Sequence, residues 1–133
     1  MVRSVGRPAV LALFLVVISV LFALAPVSAK AAQPFDAAAF ETAQKTGKAI
    51  VLDVTASWCP TCRVQKPILE SLAAEMPGLL VFEIDFDKKK DVLRRFRVQY
   101  QSTLIVFKGI AEVGRSTGDT NRESIKSLVT KGL

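Results

Sequence analysis

The chain has 133 residues with only two cysteines and no histidine, and its 18 basic against 12 acidic residues give a net charge of +6. So few cysteines exclude a disulfide framework, and without histidine or further cysteine a closed four-ligand Cys/His zinc site is excluded too. One Trp, one Tyr and no base-reading motif leave no recognisable nucleic-acid module, so no nucleic-acid partner is expected despite the positive charge.

From the start, Met1 to Pro8 carry Arg3 and Arg7 and no acid, and Ala9 to Ala25 form an apolar run interrupted only by Ser19. The run is longer than the usual apolar core of about 7–15 residues in a cleaved signal and just short of the roughly 18 needed to span a bilayer. Pro26 breaks it, and Val27-Ser28-Ala29 offers a signal peptidase small or modest side chains. Residues 1–29 therefore read as a signal peptide cut after Ala29. The alternative is an uncleaved anchor, crossing the membrane through residues 9–25 with Arg3 and Arg7 inside. Either way the rest is exported, and with no retention signal in Thr130-Lys131-Gly132-Leu133 the expected address is the periplasm. Residues 30–34 read as a linker, leaving residues 35–133 as a single small domain.

Within that domain, Asp36 is placed to cap a helix over Ala37–Lys45 that faces Phe40 and Ala43 to the core and ends at Gly47. Ala49-Ile50-Val51-Leu52-Asp53-Val54-Thr55 has the length and β-branched content of a buried strand. Ser57-Trp58-Cys59-Pro60-Thr61-Cys62-Arg63 follows, and then a helical pattern to Met76, marked by Val64, Ile68, Leu72 and Met76. The Cys-x-x-Cys thus falls where a strand ends and a helix begins, with Pro60 in a first turn that tolerates a missing N–H. Free backbone N–H groups and the helix dipole favour a thiolate there, most strongly at Cys59. Cys62, one turn further in, keeps the higher pKa and suits attack on a mixed disulfide formed at Cys59. Two other uses of the pair stay open: a metal site completed by carboxylates, and a structural disulfide whose short ring removes little chain entropy.

Beyond Pro77-Gly78, Leu79 to Asp85 reads as a second strand, parallel to the first through the helical crossover. Asp87 is expected to cap a helix with Val92, Leu93 and Phe96 inside and Lys88, Lys89, Lys90, Arg94 and Arg95 mostly outside. That cationic face reads either as a solvated surface or as a dock for acidic partners or anionic lipid. Thr103–Lys108 and Glu112–Ser116 should form an antiparallel pair around Gly109-Ile110-Ala111. A capping box, Thr120-x-x-Glu123, opens a last helix with the stripe Ile125, Leu128 and Val129.

Val51 to Cys62, with its strand, buried acid, tryptophan and Cys-Pro-Thr-Cys, resembles the thioredoxin superfamily; Pro67, Ser102 to Lys108 and Gly118 resemble its helix-kinking proline, its Pro-Thr-Leu-plus-strand segment and the glycine before its last helix. The resemblance covers about residues 35–133. It implies an α/β thioredoxin fold, a central mixed four-stranded sheet flanked by helices, here without the family's first strand. It also implies a thiol–disulfide oxidoreductase that works with protein thiols and disulfides, as a monomer and without a cofactor or resident metal. Cys59 and Cys62 would form the redox-active disulfide, with Asp53 the buried carboxylate that moves the proton of the second cysteine. Trp58, Pro60, Thr61, Gln101, Ser102 and Thr103 would line the partner groove. The family's lysine near the buried acid aligns with Val81, so Asp53 is expected to be unpaired and more protonated than usual.

Two departures bear on function. Ser102 stands where the family has a cis-proline, and since a cis bond before a non-proline costs about 3–4 kcal/mol, Gln101–Ser102 is expected to be trans. That bond should loosen the groove and open the cysteines to partners or metal, which makes a metallochaperone-like module the alternative function. Trp58-Cys59-Pro60-Thr61-Cys62-Arg63 resembles exported reductases of cytochrome c maturation, although the chain lacks room for their usual insertion. This points to the reducing side, with a membrane electron donor or cytochrome c maturation proteins as partners.

Overall fold

The computed structural model describes residues 32–133; the expected export segment, its expected cleavage site and most of the expected linker lie outside them. The elements run β1 (Gln33–Pro34), α1 (Ala37–Lys45), β2 (Ala49–Thr55), α2 (Pro60–Glu75), β3 (Leu79–Asp85), α3 (Lys90–Arg95), β4 (Thr103–Lys108), β5 (Ala111–Thr117) and α4 (Arg122–Thr130). Among the described residues no helix is long and apolar enough to cross a membrane.

The sheet has the order β1-β3-β2-β4-β5. β2 pairs parallel with β3 and antiparallel with β4, and β5 closes the far edge antiparallel to β4. The four expected strands are all present. In place of a missing first strand, Gln33 and Pro34 form a two-residue stub beside Phe82 and Glu83, extended by the Phe35 N–H donating to the Glu83 carbonyl at 2.8 Å. Pro34 lacks a ladder donor and belongs on an edge, so the tail of the expected linker is absorbed into the sheet.

Alternation along β2 sorts the core into two layers. Ile50, Leu52 and Val54 face α1 and α3 with Phe35, Phe40, Phe82, Val92 and Leu93; Ala49 and Val51 face α2 and α4 with Leu69, Leu72, Ile125 and Val129. β2 is thus buried on both faces, and fully burying each such aliphatic side chain contributes roughly 1.5–3 kcal/mol. Asp53 falls on the α2 side of this strand.

Local caps account for the remaining boundaries and for two corrections. Asp36 caps α1 as expected, accepting from the Ala39 N–H at 2.8 Å, and Gly47 follows its end at φ 68°. Asp87 does not cap α3, which starts at Lys90 without a side-chain cap; Asp85 instead accepts the N–H groups of Asp87 and Lys88. The last helix is capped one residue later than expected, because Asn121 takes the extended N-cap backbone and its side chain accepts from the Ser124 N–H at 2.9 Å.

Candidate active site

Cys59 and Cys62 form a disulfide at the C-terminal end of the central strand, with Cα atoms 5.3 Å apart. Cys59 is the N-cap of α2, Pro60 occupies its first turn, and the Cys59 sulfur accepts the Cys62 backbone N–H at 3.1 Å. In this oxidised form that sulfur stands in for the thiolate of the reduced protein, which would receive the same N–H and the positive helix end. The Cys62 sulfur lies 4.0 Å from the Val54 carbonyl, an acceptor that favours the protonated thiol once the disulfide opens. Exposure does not distinguish the two, at 1% for Cys59 and 4% for Cys62, so the helix end does. The pair is buried, contrary to the open site expected from Ser102; Ala56 and Phe86 pack against it.

Ser102 explains why. No peptide bond among the described residues is cis, so Gln101–Ser102 is trans, and Ser102 takes up the bend at φ 55°, a left-handed conformation costly for a residue with a Cβ. Four hydrogen bonds hold it: its N–H donates to the Val54 carbonyl at 2.8 Å, its hydroxyl to the Gln101 carbonyl at 2.6 Å, and its carbonyl accepts from Gly118 N–H at 2.9 Å and Gln65 Nε2 at 3.2 Å. The trans bond thus bends the segment without loosening it. Both backbone groups of Ser102 are consumed internally. Thr103 is buried, pairs with Val54, and bonds the Tyr100 carbonyl and the Thr117 hydroxyl. Of this trio only Gln101 keeps partial exposure to offer a partner.

Trp58 is 52% exposed and serves neither layer of the core. Its indole N–H donates to Asp87 at 2.8 Å and its ring meets Phe86 edge-on, while Lys90 sits over the other ring at 4.2 Å. Exposed Trp58 and Pro60 and half-buried Thr61 thus form one rim of the disulfide, and the Gln101–Thr103 segment lies beside the end of β2.

Asp53 is 4% exposed, and its Oδ1 has no hydrogen-bond partner. Burial, reinforced by the Glu83 carboxylate, pushes its pKa up to about 7, against a smaller opposing pull from Lys66. The neighbour differs from the expected one. The register sets Val81 opposite Val51 and Glu83 opposite Asp53. The lysine comes from α2: Lys66, one turn beyond Cys62, bonds Glu83 at 3.2 Å. A cleft of about 260 Å³ lined by Thr55, Ala56, Ser57, Cys62, Arg63, Lys66 and Asp85 opens to solvent at this place. Among the described residues Lys66 is the charge that holds the Asp53 pKa down, so Lys66→Met should raise the Asp53 titration above 7; an unmoved midpoint in carboxyl NMR would deny the coupling.

Gln65, Lys66 and Glu83 are the site residues that sequence reasoning missed. Gln65 carried a signal: it sits in phase with Leu69 and Leu72, a polar side chain in an apolar stripe, while Val64, expected inside, is 48% exposed. Among the described residues no group of three or more His, Cys, Asp or Glu side chains converges to hold a metal ion.

The thioredoxin family model matches residues 24–131. A thioredoxin H-type from Fagopyrum esculentum is 36% identical over 89 residues, spanning 67% of this chain and 77% of that protein. The thioredoxin of Chlamydia trachomatis is 35% identical, spanning 62% of this chain and 80% of its own length. Among solved structures, Trxlp from Edwardsiella tarda superposes with a TM-score of 0.70 at 40% identity, covering 74% of this chain and 97% of that one. With the Cys59–Cys62 pair at the N-terminus of α2 and the sheet order described above, the chain belongs to the thioredoxin family of thiol–disulfide oxidoreductases.

Proposed function

We propose that the chain is an exported reductant of protein disulfides, with Cys59 as nucleophile, Cys62 as resolving thiol and Asp53 as proton acceptor. The observation that carries this is the Cys59 sulfur receiving a backbone N–H at the start of α2, with an unpartnered buried carboxylate on the α2 face of the adjoining strand. The Cys59 thiolate attacks one sulfur of a partner disulfide, which breaks that bond, forms a mixed disulfide and releases one partner thiolate. Asp53 takes the Cys62 proton, and the Cys62 thiolate then attacks the Cys59 sulfur. The second partner thiolate leaves and the Cys59–Cys62 disulfide forms, so two electrons pass from this dithiol to the partner. An external dithiol must return them; a membrane electron donor is the class expected of an exported protein, and cytochrome c maturation proteins are candidate recipients.

The reducing direction is supported by the absence of histidine between the cysteines, which removes one stabiliser of the reduced form found in strong oxidants. Export is supported by Arg3, Arg7, the run Ala9–Ala25 and Val27-Ser28-Ala29. Equilibration with glutathione tests the direction. Potentials in the superfamily run from about −270 to about −120 mV, about 7 kcal/mol apart, and a value on the negative side of glutathione is expected. A value near the oxidising end would reverse the proposed flow. Cell fractionation and N-terminal sequencing test the address, with a mature terminus at Lys30 expected.

A further inference from the structure

Gln65 is fully buried on α2, one turn beyond Cys62 and in the same stripe as Leu69 and Leu72. A leucine would fill such a position without burying an amide. The amide instead uses its two donors on two different loops: Nε2 bonds the Ser102 carbonyl at 3.2 Å and the Asp119 carbonyl at 2.8 Å, and its Oε1 is left without a partner. A half-satisfied buried amide is poor stabilisation, so packing does not account for it. One side chain thereby joins the helix that carries the cysteines, the loop that carries Gln101, and the loop entering α4.

We infer that Gln65 is a positioning residue that fixes the Gln101–Ser102 loop, and with it the edge that a protein substrate docks on, relative to the Cys59–Cys62 pair. This rests on the thiol-exchange reading above. An extended partner segment paired at Gln101 brings its disulfide into line with the Cys59 sulfur only if that edge stays in place, and small misplacements cost rate steeply. Ser102 has no ring to restrict its backbone, and its φ of 55° persists only while its surroundings over-determine it. Gly118 and Val54 bond it from the sheet side, and Gln65 bonds it from the helix that moves with the cysteines.

The test compares Gln65→Met with wild type on two substrates, insulin and a small aromatic disulfide that needs no docking edge. Expected is a fall of about tenfold in kcat/KM for insulin, mainly through KM, equivalent to about 1.4 kcal/mol. The rate with the small disulfide and the reduction potential should stay unchanged. Equal losses on both substrates would show that Gln65 acts on the cysteines, and no loss on either would remove it from the machinery; both overturn the inference. Should the variant fail to fold, amide exchange in wild type decides. The two Nε2 protons of Gln65, held by the Ser102 and Asp119 carbonyls, must be protected from exchange, and exchange at the rate of an exposed side-chain amide overturns the inference. Wild-type protein inactive on both substrates would strike the thiol-exchange reading itself.

Discussion

Cys59→Ser is expected to reduce protein-disulfide turnover to the uncatalysed background, whereas Cys62→Ser is expected to accumulate mixed disulfides held through Cys59. The asymmetry follows from the helix start. The Cys59 sulfur caps α2 and accepts the Cys62 N–H at 3.1 Å, which stabilises a thiolate; the Cys62 sulfur faces the Val54 carbonyl, which favours the thiol. With Cys62 replaced, the first exchange still proceeds and nothing resolves it. Each variant retains the N-terminal Pro60 and the rest of α2, so folding should be little affected. Mass mapping of the trapped adducts checks the order of events: partner peptides attached to Cys62 in a Cys59→Ser background, at rates matching those through Cys59, would reverse the roles.

Asp53→Asn should change stability and catalysis together, each in a pH-dependent way. The carboxyl titrates near 7 in the folded protein against 3.8 for a free group, so between about pH 4 and 7 the folded state holds a proton that the unfolded state has lost. Wild-type stability must therefore fall as pH rises through this window, by about 4 kcal/mol in all, and stay low above it. The Asn variant carries no such dependence. Its amide adds donors that cost about 1–3 kcal/mol if unmet, so it should be somewhat less stable than wild type at pH 4 and more stable at pH 8. Denaturant melts at the two pH values measure the crossing. A wild-type stability that is flat from pH 4 to 8 would mean that Asp53 titrates normally. Resolution of the mixed disulfide should be slower in the variant and should lose the wild-type dependence on a group near pH 7. Burial and Glu83 set where that dependence falls, and Lys66, from the wall of the cleft beside Cys62, moderates it.

The basic face of α3 is partly spoken for inside the fold. Lys88 pairs with Asp85, Arg95 with Glu41, and Lys90 covers the Phe86 ring next to Trp58. Exposed pairs of this kind contribute little to stability, about 0–1 kcal/mol each. Of the three, only Lys90 stands beside the tryptophan rim, where Asp87 already accepts the Trp58 indole N–H.

Much of the fold was legible along the chain because its signals are local. The β-branched run Ala49–Thr55, the cap at Asp36, the apolar pattern of Leu79–Asp85 and the turn at Gly109 each concern residues within a few positions of one another, and the observed elements follow them closely. The same holds for the cysteines: a strand end, a proline and a helix start within seven residues already place Cys59 at a helix N-terminus. Where neighbouring residues offered the same signal, as Thr120 and Asn121 do, the backbone decided: Asn121 takes the extended N-cap conformation, which periodicity cannot report, and α3 begins with no side-chain cap at all. The stub β1 escaped notice because two residues with a proline carry no alternation to detect.

What the sequence by itself determined, then, is the order of the elements from α1 onward and the place of the Cys59–Cys62 pair at the start of α2, since both depend on neighbours in the chain. What stands beside Asp53 was decided only by the tertiary structure. Val81 and Glu83 differ by two positions and so share one face of β3, and a period of two cannot choose between them; the register of β3 on β2 does, and it installs a carboxylate instead of an apolar side chain. The balancing lysine arrives from α2, and the Ser102 bend is held by Gln65 and Gly118 across 37 and 16 residues of sequence. Such contacts arise when helices cross back over a twisted sheet, and their distances are set by packing, which no spacing along the chain encodes.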